Sequence, residues 1–292
     1  ILCLLELNFT CSAFFTLLLR RNARMASISE LRDFLIVNYF DLYPNSSPVD
    51  EFFRLFASPY VPLISVVLYL LASDYVFVFL RTVFDIQPKG KALQLVTMTH
   101  SLILALYSIW TFVNGMQIIA PLVIERGFYG ALCDPSLDVW TARDFGFWVT
   151  HFYISKYYEF VDTWIIILKG RQPMILQTFH HAGIVLISWS FVVTKNTGGG
   201  AILLCFNSFI HSIMYTYYTF AAMGYTSSLK KYITQAQLAQ FIVGGALTIP
   251  LHFIDNCVNP AQSAALISIK AYLVILVYLF AMFYASVYNK KK

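Results

Sequence analysis

Phe145-Gly-Phe-Trp-Val-Thr-His-Phe-Tyr-Ile-Ser-Lys156-Tyr-Tyr-Glu159-Phe-Val-Asp162-Thr163-Trp-Ile-Ile-Ile-Leu168 decides the fold. It exceeds the roughly 20 apolar residues that cross a hydrocarbon core as a helix. Yet Lys156, Glu159 and Asp162 lie inside it. A charge at the centre of a bilayer costs ~2.5–3.5 kcal/mol on insertion scales, so such residues pair with one another or serve a function. Their i, i+3, i+6 spacing places them along one helical face with Thr163 beside them. Two readings follow: an ion-pair cluster pinning helices together, or the polar wall of a site within a membrane.

The surroundings favour a membrane protein. Hydrophobic residues make up 59% of the 292 and charged residues 12%, against about 25% charged in an ordinary soluble domain. Aromatic residues reach 17%, which excludes disordered, collagen-like and nucleic-acid-binding tails. Besides residues 145–168, similar windows run over 60–80, 93–113, 174–193, 201–223, 233–254 and 266–288. The expected fold is an all-α polytopic membrane protein of seven transmembrane helices, a bundle or barrel enclosing a tunnel open to the cytosol. Arg81, Lys89, Lys91, Lys169, Arg171, Lys230, Lys231 and Lys290 to Lys292 fall on one side of these windows; Arg126, Arg143 and Lys195 fall on the other. The excess of cations marks the cytosolic side, which puts the C-terminus in the cytosol and the N-terminal segment in a lumen. The net charge of +5 reflects these loops.

The expected organisation is an N-terminal extension over 1–24, a lumenal segment over 25–59, the seven-span domain over 60–288 and a basic tail over 289–292. Residues 1–24 read as a signal sequence, a partial span or sequence upstream of a start at Met25, the last being preferred. Asn45-Ser46-Ser47 is a glycosylation sequon on the lumenal side, followed by Pro48. Cys133 and Cys257 lie in lumenal loops, where an oxidising compartment permits a disulfide; paired and free states both stay open.

Three more spans carry polar faces. Gln177 and His181 share a face at i, i+4, while His180 points about 100° away. Asn207, His211, Tyr215 and Tyr218 form a stripe on the next span, and Thr234, Gln237 and Gln240 open the one after. One such face would ordinarily be interhelical glue; four on consecutive spans point to a pocket. At 1.5 Å per residue from the cytosolic ends, His180 lies about 10 Å deep and His211 about 18 Å. The polar faces therefore converge in the cytosolic half, with Phe, Ile, Leu and Val beyond them, an arrangement suited to a charged head and an apolar tail. Lys169, Arg171, Lys230 and Lys231 at the rim either hold phosphates or merely set topology.

Three chemistries compete. A metal site is suggested by QxxHH, which resembles one histidine box of membrane di-iron desaturases; those enzymes need more histidines, in several boxes, than the six here, at His100, His151, His180, His181, His211 and His252. Metal-free nucleophilic and acid–base catalysis is the second. A transporter or ligand-binding protein is the third, against which no half-to-half repeat is visible.

Four ordered motifs then carry a resemblance. Lys156-Tyr-Tyr-Glu159-Phe-Val-Asp162-Thr163 matches KxxExxDT, and Gln177-Thr-Phe-His180-His181 matches QxxHH. Asn207-Ser-Phe-Ile-His211-Ser-Ile-Met214-Tyr215-Thr-Tyr217-Tyr218 matches NxxxHxxMYxYY, and Thr234-Gln-Ala-Gln237-Leu-Ala-Gln240-Phe241 matches TxxQxxQF. The chain resembles the ELO family of fatty-acid elongases. The resemblance implies a 3-oxoacyl-CoA synthase that joins malonyl-CoA to a long-chain acyl-CoA, without metal or other cofactor. It implies His180 as the attacking nucleophile, with His181, His211 and Asn207 in proton transfer and oxyanion stabilisation. Cys205 is the alternative nucleophile. Lys156, Glu159, Asp162, Lys169, Arg171, Gln172, Gln177, Tyr215, Tyr217, Lys230, Thr234 and Gln237 are then expected to bind substrate. Gln177 stands where many members have histidine, and the Gln form resembles elongases of polyunsaturated acids. The runner-up is a lipid or acyl-CoA binding or transport protein without condensing activity.

Residence in the endoplasmic reticulum membrane follows from the resemblance. So do membrane lipid and the ketoreductase, dehydratase and enoyl reductase of the elongation cycle as partners. A homodimer is left open and nucleic acid is not expected. Lys290-Lys291-Lys292 resembles a dilysine retrieval signal, although Asn289 stands where the strict signal has lysine.

Overall fold

The computed structural model describes residues 48–225 and 227–288; the 1–24 extension, the sequon at Asn45 and the tail 289–292 lie outside them. The chain divides into two compact units, 1–54 and 55–292, and the second holds every helix from Tyr60 onward. In chain order the helices are α1 Pro48–Ala57, α2 Tyr60–Leu71, α3 Phe77–Val83, α4 Lys91–Leu132, α5 Asp138–Thr141, α6 Phe145–Tyr158, α7 Phe160–Leu168, α8 Ile175–Val193, α9 Thr197–Ala222, α10 Leu229–Leu247 and α11 Pro260–Tyr288. A π-helical turn, Ala72–Val76, joins α2 to α3, and a 3₁₀ turn, Pro250–His252, follows α10. No strand occurs among the described residues.

Five of these stretches are long and apolar enough to cross a bilayer: Tyr60–Val83, Lys91–Leu132, Ile175–Val193, Thr197–Ala222 and Pro260–Tyr288. The stretch 145–168 is helical but not continuous. It breaks at Glu159, where the Asp162 N–H bonds the Glu159 carbonyl three residues back, at 3.1 Å, a turn tighter than the α-helix. The window at 233–254 is shorter than expected, because α10 stops at Leu247. Pro250, which has no N–H and disfavours helix before it, starts the 3₁₀ turn instead.

The largest difference is α4, which runs well past the expected end at Val113. Asn114 and Gly115 look like a terminus but do other work. The Asn114 amide donates to the Trp110 carbonyl within the helix, at 2.8 Å. Gly115 lets Leu204 of α9 approach so closely that a Cβ there would lie 2.5 Å from its Cδ2. The helix breaks at Gly127, whose φ of 74° suits glycine.

α4 and α9 pack along much of their length, and α8 is held between α6 and α11. Packing is also close at the start of α9, where three successive glycines, Gly198, Gly199 and Gly200, leave space for Leu132, Phe191 and Val149. Asp134 ties that corner together: its carboxylate accepts from the Trp140 N–H at 2.9 Å and from Thr197 Oγ1 at 2.8 Å. Asn196 caps α9 by accepting from the Gly199 N–H at 2.8 Å and donates to the Gln262 carbonyl at 3.0 Å. Cys133 and Cys257 are joined by a disulfide at the same end, across 124 residues of sequence.

Candidate active site

The site starts from the break at Glu159. Lys156, on the last turn of α6 and 1% exposed, donates to Glu159 Oε1 at 2.6 Å and to Asn207 Oδ1 of α9 at 2.9 Å. Its ammonium also lies 4.0 Å from the Phe152 ring centroid. Because Asn207 Oδ1 accepts from lysine, its amide nitrogen is the end facing His211, and Nδ2 donates to His211 Nε2 at 3.1 Å. The His211 proton then sits on Nδ1, 3.6 Å from Glu159 Oε1. One buried cation thus orients an amide, and the amide sets the tautomer of a histidine.

Asp162 belongs to a separate network. One oxygen meets His100 Nε2 of α4 at 3.0 Å, and the other accepts from the Tyr215 hydroxyl of α9 at 2.6 Å. Next to it, Thr163 Oγ1 and the Tyr69 hydroxyl lie 2.8 Å apart. The spacing of Lys156, Glu159 and Asp162 gave no hint of this division.

On α8 the two imidazoles have different partners. Gln177 Nε2 lies 2.8 Å from His181 Nε2, within one helical turn, and His181 is 4% exposed. His180 turns toward α11, where its Nδ1 lies 3.0 Å from the Tyr272 hydroxyl. No described residue bonds its Nε2.

These groups border a cavity of about 740 Å³. Lys169, Arg171 and Gln172 after α7, and Lys230 at the start of α10, line it. Tyr215, Tyr217, Thr234 and Gln237 form walls, and Asp162, Gln177, His180, His181 and His211 line it too. Half burial, and then the Arg171 charge, lower the pKa of Lys169; a bound anion would oppose both. Lys156, Glu159 and Asn207 lie behind the histidines and do not line this cavity. A smaller cavity of about 40 Å³ shares His180, Gln240 and Phe241 with it and is otherwise walled largely by side chains such as Ile184, Leu203, Phe206 and Leu273. Cys205 packs beside Gly115 and lines neither cavity. No group of three or more His, Cys, Asp or Glu placed to hold a metal ion occurs among the described residues.

Two residues escaped the motif reading. His100 could have been flagged as an ionisable group inside an apolar span. Tyr272 could not, since a lone tyrosine in an aromatic-rich membrane helix carries no signal of its own.

The profile of the GNS1/SUR4 (ELO) family matches residues 54–292. "Fatty acid elongase sre1" of Dictyostelium discoideum is 32% identical over 232 residues, which is 74% of this chain and 85% of that protein. "Fatty acid elongase 1" of Trypanosoma brucei brucei is 35% identical over 159 residues, 51% of this chain and 50% of that protein. "Very long chain fatty acid elongase 6" of Gallus gallus is 32% identical over 146 residues, 49% and 54% of the two chains. The family match spans the helices that carry every residue of the site, and the chain belongs to the ELO family.

Proposed function

We propose that this protein, a fatty-acid elongase condensing enzyme of the 3-oxoacyl-CoA synthase type, extends a long-chain acyl-CoA by two carbons from malonyl-CoA through an acyl group carried on His180. The observation that carries the assignment is the state of the three cavity histidines. His181 and His211 each accept at Nε2 from an amide, Gln177 and Asn207, so that the Nδ1 left without a hydrogen-bond partner in each carries the proton and no bare lone pair remains. His180 lines both cavities and has no partner at Nε2 among the described residues. A lone pair that is neither protonated nor accepting a hydrogen bond is what attack on a thioester carbonyl requires. CoA then leaves, and malonyl-CoA loses CO₂ to give the enolate that takes the acyl group.

In this reading the helices form seven crossings in the endoplasmic reticulum membrane, with the C-terminus cytosolic. The CoA head sits against Lys169, Arg171, Gln172, Lys230, Thr234 and Tyr217, and the acyl tail passes His180 toward the apolar cavity as in a tunnel. Lys156, Glu159 and Asp162 set the electrostatics, and no metal takes part. The Gln177 amide cannot take up a proton at neutral pH; it orients His181, and polyunsaturated acyl groups are the preferred acceptors. The 3-oxo product is passed to a ketoreductase, a dehydratase and an enoyl reductase.

The test is incorporation of labelled malonyl-CoA into 3-oxoacyl-CoA by purified protein in EDTA, across saturated and polyunsaturated acceptors. Product is expected, with a covalent acyl adduct on His180 when acyl-CoA is given without malonyl-CoA. An adduct that survives His180→Ala, or maps to Cys205, overturns the acyl-histidine route. Folded protein that binds acyl-CoA and condenses nothing overturns the enzyme reading in favour of lipid binding or transport.

A further inference from the structure

A neutral imidazole has one proton, and the nitrogen without it is the nucleophile; the hydrogen bond at the other nitrogen decides which is which. For His180 that other nitrogen is Nδ1, 3.0 Å from the Tyr272 hydroxyl. The same hydroxyl lies 3.1 Å from the backbone carbonyl of His180 itself. A carbonyl oxygen only accepts, so this second contact is a hydrogen bond only if the phenolic proton points at it. The phenol has one proton and cannot give it to Nδ1 as well. Both contacts are therefore hydrogen bonds in a single arrangement: Oη–H donates to the carbonyl, and Nδ1–H donates to Oη.

We infer that Tyr272 is a positioning residue that holds His180 in its Nδ1–H tautomer and so leaves Nε2 as the bare nucleophile. The inference rests on the His180 route proposed above and deepens it.

The packing around the phenol supports this role independently. Tyr272 is 8% exposed and reaches His180 from α11, 92 residues away in sequence. Phe179 stacks on its ring at 5.4 Å with planes 20° apart. Its other neighbour on α8 is Gly183, where a Cβ would come within 2.3 Å of Tyr272 Cε2. That ring edge occupies the space of the missing side chain, so Gly183 is what allows the hydroxyl to reach both the ring and the carbonyl one turn earlier.

The charges balance through both half-reactions. Nε2 forms a bond to the acyl carbon, the C–S bond breaks and its electron pair leaves as the CoA thiolate. Since Nδ1 keeps its proton, the product is an acyl-imidazolium cation whose N–H points at Tyr272 Oη. Malonyl-CoA then gives CO₂ and an enolate of one negative charge. The new C–C bond forms as the Nε2–C bond breaks, and neutral Nδ1–H histidine is restored. Tyr272 thus keeps the acyl group on a cation, a better acyl donor than a neutral acyl-imidazole and the opposite charge to the incoming enolate.

The experiment uses the full chain and two variants. Tyr272→Phe removes the hydroxyl and keeps the ring; Gly183→Ala keeps the hydroxyl and displaces it. For each, ¹⁵N spectra of histidine-labelled protein identify the unprotonated nitrogen of His180, assigned by the signal lost in His180→Asn. Rapid-quench kinetics with acyl-CoA give the acylation rate. Wild type is expected to show Nε2 unprotonated and the variants a mixture of tautomers. Acylation should slow on the order of 10²-fold, less than the loss from a wholly wrong tautomer, with the KM for acyl-CoA and the thermal midpoint of Tyr272→Phe little changed. A wild type protonated on Nε2, or a Tyr272→Phe protein that keeps both tautomer and rate, overturns the inference. Absence of any acyl adduct in wild type overturns the His180 route instead, while the spectra judge the tautomer separately.

Discussion

Lys156 has three donors and commits two of them, to Glu159 and to Asn207, in a place with 1% exposure. Its loss would leave a buried carboxylate without its cation and free the Asn207 amide to turn over. Lys156→Met is therefore expected to destabilise the protein by about 3–5 kcal/mol, the usual cost of stranding one partner of a buried pair, and to depress condensation strongly. Lys156→Met with Glu159→Gln should regain much of the stability and little of the turnover, because nothing then fixes the tautomer of His211. Thermal unfolding in detergent and the condensation rate separate the two effects; an unchanged midpoint in the single variant would contradict the account. At this scale the sequence shows which groups are out of place in a membrane and not what they touch. Spacing put Lys156, Glu159 and Asp162 on one face, but Asp162 is bonded by His100, 62 residues away, and by Tyr215, 53 residues away. Such partners come from other helices, whose rotation about their axes no local pattern reveals.

Hydropathy located the helices better than it located their ends. Each expected window coincides with helix, yet α4 overruns its window while the one at 145–168 breaks and the one at 233–254 falls short. The physical causes are tertiary: Gly115 is small for the sake of Leu204, and the Glu159 turn lies beside the Lys156 pair. The link between the loop after α4 and the loop before α11 is another element-scale feature, where residues suggested a pairing and the structure joins Cys133 to Cys257. Protein digested without reduction should yield that cross-linked peptide by mass spectrometry. Replacing both residues by serine should cost about 2–5 kcal/mol of stability. Recovery of both thiols in free form from unreduced protein would rule the link out.

Across the whole molecule, the distribution of cations predicts an orientation. In sealed microsomes a tag after residue 288 should be removed by added protease, whereas one inserted between 255 and 259 should survive until detergent is added; the reverse pattern would invert the proposed topology. The molecule is also uneven from end to end. One end has a disulfide, an aspartate bonded to two elements and three successive glycines in close contact. Toward the other lies a cavity of about 740 Å³. Local opening has its own free energy in each part of a protein. Amide hydrogen exchange should accordingly be slowest near Gly198–Gly200 and fastest where α7, α9 and α10 border the cavity. Occupancy by acyl-CoA should slow exchange mainly in that second region. With that pattern of exchange, breathing of the molecule would be confined to the part that admits a substrate, and the glycine corner would be the anchor against which that motion is made.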